Sequence, residues 1–167
     1  MTVRSWRIVK SKHAAKALSG EGARKAGGRW NSPGVAVVYT AGSESLAILE
    51  LLVHLQTESQ LKRYVVFEVV FDHAKVLEVD ARDLPRTWRD SPPSCTVQSI
   101  GDRWVADAAS AVLRVPSVVV PTEWNYLLNL QHPDYAAVSV SRKQPARFDP
   151  RLIRGLRSRL DTADEGI

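Results

Sequence analysis

Between Gly27 and Glu50 two breaker clusters, a β-branched run and a leucine-rich segment follow one another directly, and that order leaves few ways to fold. Gly27 and Gly28 permit backbone conformations that a Cβ forbids, and Ser32-Pro33-Gly34 is a strong turn signal. Arg29 to Asn31 is therefore expected as an exposed loop or short bridge between the breakers. Val35 to Tyr39 should be a buried strand. Ser43 is placed to cap a helix from Glu44 to about Gln56, with Glu44 at the positive end of the helix dipole.

Leu46, Ile48, Leu49, Leu51, Leu52, Val53 and Leu55 make that helix apolar over most of its circumference. At about 100° per residue, Ser43, Ala47, Glu50 and His54 fall together on the narrow stripe that remains. Two readings stand side by side. The stripe is either the solvent face of a core helix, or it turns its mid-helix carboxylate into a cleft as a catalytic or substrate-orienting group.

Around this unit the chain alternates short elements. Ser5 to Lys10 reads as a strand with Trp6 and Ile8 on one face and Arg7 on the other, and Ser11 to Leu18 as a short capped helix stopped at Ser19-Gly20. Arg63 to Phe71 and Lys75 to Val79 read as strands joined by Asp72-His73-Ala74, with His73 a plain surface residue. Arg82 to Ser94 is a polar, proline-bearing connection whose length suggests that it covers something. Ser99 to Leu113 is helix-like despite Gly101, and Val115 to Pro121 is a strand bracketed by prolines. Asn125 and Asn129 then fall one helical turn apart, His132-Pro133 marks a turn, and Ala136 to Ser141 supplies a last strand. The asparagines either tie down a loop or serve a site.

With 167 residues there is material for one domain with a real core, placed at 1–150, followed by a basic tail at 151–167 that suggests a short amphipathic helix. The single cysteine, Cys95, rules out an intramolecular disulfide, fits a reducing compartment, and has neither a second cysteine nor a nearby histidine for metal or triad chemistry. No signal peptide and no membrane-crossing run is visible, so a cytoplasmic location is expected. The net charge of +5 invites a nucleic-acid reading, but part of the excess lies in the tail, and aromatics are not interleaved with basic residues as in single-strand binders.

Several motifs agree in order. Trp6-Arg7, Gly28-Arg29-Trp30-Asn31, Val38-Tyr39 before a helix ending Glu50-Leu-Leu-Val-His54, and Val115-Pro116-Ser117 followed by Asn125-Tyr-Leu-Leu-Asn129 and His132-Pro133 resemble the RES domain, a family named for an arginine, a glutamate and a serine. The resemblance runs from about Trp6 to Val140. It implies an α+β fold in which mixed β-sheets form a cleft with surrounding helices, similar to ADP-ribosyltransferase toxins. It also implies the toxin of a bacterial type II toxin-antitoxin pair that depletes NAD, with an Xre-like antitoxin blocking the active site.

By position, Arg29, Glu50 and Ser117 match the three naming residues as catalytic candidates, and Arg7, Tyr39 and Asn125 match further substrate-binding positions. On this resemblance NAD is a substrate split at the nicotinamide-ribose bond by water or inorganic phosphate, with no metal and no resident cofactor. The chemistry suits the residues. A carboxylate near the ribose, arginines on the pyrophosphate and an aromatic surface for nicotinamide favour an oxocarbenium-like state. Transfer of ADP-ribose to a macromolecule, an RNA-cleaving or nucleic-acid-binding toxin, and a silent module in which Arg29 and Glu50 form an internal ion pair are the competing readings.

Overall fold

Strand β1 (Thr2–Lys10) runs antiparallel to β3 (Tyr64–Asp72) in unbroken register, from Thr2 opposite Asp72 to Lys10 opposite Tyr64. The computed structural model describes residues 1–55, 63–149 and 151–152. Its other strands are β2 (Val38–Ala41), β4 (Val76–Glu78), β5 (Val112–Pro116), β6 (Trp124–Leu128), β7 (Ser139–Val140) and β8 (Gln144–Pro145). They form one mixed sheet in the order β4-β5-β6-β2-β1-β3-β7, with β8 also on β3 and only β4–β5 parallel among the described pairs. The helices are α1 (Glu21–Ala26), α2 (Glu44–Leu52) and α3 (Cys95–Ala106).

The sheet is pinched in the middle. Strand β2 pairs with β6 from Val38↔Leu128 to Ala41↔Asn125, but it meets β1 only through Trp6↔Ala41 among the described residues. A cleft opens along this join, lined by Trp6, Arg7 and Ile8 from β1 and by Tyr39, Thr40 and Ala41 from β2.

Strands β5 and β6 are buried on both faces, so they read as continuous apolar runs. Leu113, Val115 and Leu127 pack with Val97 and Trp104 of α3 and with Trp30, whereas Val112, Tyr126 and Leu128 pack with Val38, Val69 and Phe71. A third cluster joins Leu46 and Ala47 of α2 to Ala41, Trp6, Ile8 and Val120. Helix α2 is therefore seated on the sheet beside the join. Its polar stripe is not its solvent face: Ala47 is buried, while the apolar residues Leu49 and Val53 are exposed.

Several boundaries differ from the sequence expectation. The Val35–Tyr39 strand begins at Val38, and the capped helix stops at Leu52; Gln56 lies outside the described residues. Ser11–Lys16 is a 3-10 helix without a capping side chain. The Arg63–Phe71 and Lys75–Val79 strands lie far apart in the sheet, separated by β5, β6, β2 and β1. The Ser99–Leu113 helix starts earlier and ends at Ala106, because Val112 and Leu113 are drawn into β5; Ser117 and the valines after it fall beyond the strand. Asn125 lies in β6, not in a helix, and Asn129 follows the end of that strand. Of Ala136–Ser141, Ala136 and Ala137 end a 3-10 turn and only Ser139–Val140 form the short β7. Only Arg151 and Leu152 of the expected tail helix fall within the described residues.

Gly101 fixes how closely α3 approaches the rest. A Cβ there would lie 1.8 Å from the Trp30 carbonyl oxygen, whereas a Cβ at Gly22 in α1 meets nothing within 4 Å. Gly101→Ala should cost about 3 kcal/mol or more in urea denaturation, since the obstacle is backbone and not a flexible side-chain tip. Gly22→Ala should instead stabilise by about 0.5–1 kcal/mol.

Candidate functional site

Three elements deliver side chains to one carboxylate. Ser43 caps α2, its Oγ accepting from Leu46 N at 3.0 Å and donating to Glu123 Oε2 at 3.0 Å, and this ties the helix to the loop between β5 and β6. Glu50 thereby reaches Ser117 at the end of β5 and Asn125 in β6. Ser117 Oγ donates to Glu50 Oε1 at 2.8 Å and Asn125 Nδ2 donates to the same oxygen at 2.7 Å. Glu50 Oε2 receives no hydrogen bond among the described residues. Ser117 is fully buried, and its Oγ also accepts from Val119 N and Val120 N at 3.1 Å. The hydroxyl thus locks the turn and orients Glu50.

The opposite wall is the Gly28–Asn31 turn. It is not exposed, because Trp30 and Asn31 are buried and Gly28 bridges Asn31. Asn31 Nδ2 donates to Ala23 O and Val35 O at 3.0 Å and to Ser32 O at 3.2 Å, while its Oδ1 accepts from Tyr39 Oη at 2.7 Å. Trp30 N donates to Tyr39 Oη at 3.0 Å, and Gln98 Nε2 donates to Gly28 O at 3.0 Å. A Cβ on Gly28 would press on Tyr39 Oη at 2.5 Å. Asn31, Gln98 and Gly101 carry much of this wall; Gln98 is not reached from sequence, and Asn31 is named there only within a motif and Gly101 only as a break in a helix pattern, since the Asn-to-Tyr spacing of eight residues carries no local signal for such a bond.

The arginines sit in the same cleft. Arg7 donates through Nε to Ala17 O and through Nη1 to Tyr39 O at 2.7 Å. Burial brings its guanidinium down to about 10. Arg29 Nη1 donates to Trp88 O at 2.7 Å and Asp90 O at 2.8 Å, pinning the Arg82–Ser94 connection over the site. Trp88 also packs on Trp30, with ring centroids 6.2 Å apart. Burial lowers the Arg29 pKa, with Glu50, Tyr39 and Asp90 acting against the shift. No ion pair joins Arg29 to Glu50, so the silent-module reading loses its contact.

Together these residues line a cleft of about 1200 Å³ that holds Arg7, Arg29, Tyr39, Glu50, His54, Arg89 and Asn125. Ser117 is not among the residues that line the cleft and touches it through its bond to Glu50. A separate hollow of about 220 Å³, lined by Trp6, Glu44, Val66, Glu68, Ser141 and Gln144, includes none of the other candidate residues. His73 is exposed and His132 Nδ1 accepts from Asp134 N, both in turns as expected. Cys95 is exposed at the start of α3, and no group of His, Cys, Asp and Glu fit to hold a metal ion occurs among the described residues. No described helix is long and apolar enough to cross a membrane.

A curled mixed sheet whose cleft holds Arg7, Arg29, Arg89 and the Glu50 carboxylate oriented by Ser117 and Asn125 defines a small α+β protein. The chain belongs to the RES domain family, whose model matches residues 4–149. It is 40% identical over 149 residues to "Toxin Res" of Yersinia enterocolitica, covering 88% of this chain and 97% of that one. It is also 40% identical over 159 residues to the "Prs ADP-ribosylating toxin" of a Sphingobium species, covering 92% and 99%. At this likeness it is a RES-domain toxin. Its fold is similar to that in the crystal structure of the M. tuberculosis MbcT-MbcA toxin-antitoxin complex, with a TM-score of 0.74 at 20% identity over 95% of this chain and 90% of that one.

Burial pushes the Tyr39 phenol well above its ordinary 10, so the folded protein keeps a proton that the unfolded chain releases. The stability this supplies is complete below about pH 10 and is lost as pH rises further. Tyr39→Phe should be less stable by about 1–3 kcal/mol near neutral pH, having left Asn31 Oδ1 and Trp30 N without their partner. Its stability should fall less steeply than that of the parent above about pH 10, as read by urea denaturation across that range.

Proposed function

We propose that the cleft binds NAD and breaks its nicotinamide-ribose bond, with water or inorganic phosphate as acceptor. The observation that carries this reading is the Glu50 carboxylate, one oxygen pinned by Ser117 and Asn125 and the other without a hydrogen bond among the described residues, in a cleft that also holds Arg7, Arg29 and Arg89. As the C1′–N bond breaks, its electron pair stays on the nicotinamide nitrogen and cancels that ring's positive charge. The leaving group needs no proton, and positive charge grows on the ribose. Glu50 Oε2 accepts a ribose hydroxyl and stabilises that charge, because it is held in place before the reaction begins. The arginines balance the substrate's diphosphate, and the Tyr39 ring offers a flat wall for nicotinamide. The acceptor oxygen then bonds to C1′ and releases its proton.

A second reading keeps the same first half and changes the acceptor. The name of the Sphingobium relative favours transfer of ADP-ribose to a macromolecule, since an oxocarbenium-like state can be captured by any nucleophile in reach. Ribonuclease chemistry has less support, because His54 is the one histidine among the described residues that lines the cleft.

The partner is an antitoxin that covers the cleft, a reading supported by the toxin-antitoxin title of the structural neighbour and by the resemblance to Xre-paired toxins. Nucleic acid would be met through that antitoxin. Free protein should consume NAD, and the complex should not; equal rates for both would overturn occlusion.

The site residues are tested by nicotinamide release from NAD. Glu50→Gln, folded by circular dichroism, should be slower by about 100-fold or more. Ser117→Ala and Asn125→Ala should each lose about 10-fold, because Glu50 stays in the cleft but loses its orientation. A Glu50→Gln protein as fast as the parent would sink the assignment.

A further inference from the structure

Among the described residues three guanidiniums line the cleft, but they are not equally available. Arg7 is committed through Nε and Nη1 to the carbonyls of Ala17 and Tyr39, and Arg29 commits Nη1 to those of Trp88 and Asp90. Those last two carbonyls bracket Arg89. Arg29 therefore fixes the backbone on both sides of Arg89 and sets the direction of its side chain. Arg89 is exposed, lines the cleft, and makes one long contact among the described residues, from Nη2 to Val118 O at 3.4 Å. That distance is too long to hold a guanidinium firmly. Val118 follows Ser117, which holds Glu50, so Arg89 reaches from the covering strap to the rim nearest the carboxylate.

We infer that Arg89 is the arm that grips the substrate's diphosphate, exchanging its weak contact with Val118 for phosphate oxygens. This rests on the NAD reading and deepens it. A guanidinium offers a planar fork of donors that fits two phosphate oxygens at once, and one whose donors are largely uncommitted gives up little to do so. The division of labour is then plain: Arg7 and Arg29 organise the walls, and Arg89 meets the ligand. An arm on a strap across the mouth would also help to hold the substrate down over Glu50.

Binding of ADP-ribose, which keeps the diphosphate, and of adenosine, which lacks it, is measured calorimetrically for the parent, Arg89→Gln and Arg89→Lys, alongside the steady-state kinetics of NAD cleavage. Arg89→Gln should bind ADP-ribose about 10-fold more weakly, with KM raised to match, kcat within about threefold and adenosine affinity unchanged. Arg89→Lys should recover part of the loss, because the charge returns without the fork. An Arg89→Gln protein that binds ADP-ribose as tightly as an NAD-cleaving parent would overturn the inference alone. Equal losses for ADP-ribose and adenosine would overturn it too. A folded parent that neither cleaves NAD nor binds ADP-ribose would overturn the NAD reading and this inference with it.

Discussion

The site depends on two hydrogen bonds converging on one oxygen, from Ser117 Oγ and Asn125 Nδ2 to Glu50 Oε1. A carboxylate in the last turns of a helix sits at the negative end of the dipole, an arrangement that ordinarily costs about 0.3–1 kcal/mol. Here a hydroxyl just past the end of β5 and an amide on the neighbouring β6 offset that cost and fix the rotamer. The sheet order makes this possible: β6 lies between β5 and β2, and α2 leaves β2 directly, so all three donors and acceptors start from adjacent strands. Ser43 closes the arrangement by tying the start of α2 to Glu123 in the loop that follows Ser117.

The facing wall solves a different problem. A cleft proposed to take a diphosphate needs cations, yet half-buried guanidiniums need partners for their donors. Arg7 and Arg29 find them in backbone carbonyls, which satisfy donors without neutralising charge. Their positive charge remains in the cleft. The same bonds fasten β1 to β2 and the strap to the Gly28–Asn31 turn, so the electrostatics and the architecture come from the same contacts.

Much of this was legible in the residues. The Ser43 cap and the polar stripe containing Glu50 followed from helical spacing, and the structure turns that stripe toward the cleft. The length of Arg82–Ser94 announced a covering strap. The fold also matches what the resemblance implied. What failed has physical causes. A spacing of four residues places side chains together on a helix and also on one face of a strand, so Asn125 and Asn129 could not distinguish the two. Val112 and Leu113 fit an apolar helix face as well as they fit β5, and only pairing with β6 and β4 decides. Gly101 looked like a weak point in a helix because its purpose, contact with the Trp30 carbonyl, lies about 70 residues away in sequence. Asn31 reads as a polar loop residue until the long-range bond to Tyr39 is seen.

The most direct test of the account is product identification by mass spectrometry after the antitoxin-free protein meets NAD in isotopically labelled water, with and without inorganic phosphate. Free nicotinamide should appear, with labelled oxygen at C1′ of ADP-ribose if water is the acceptor, or with a phosphorylated ribose product if phosphate is. Cleavage at the diphosphate instead, or intact NAD after prolonged incubation with folded protein, would contradict it, since neither uses a carboxylate aimed at the ribose.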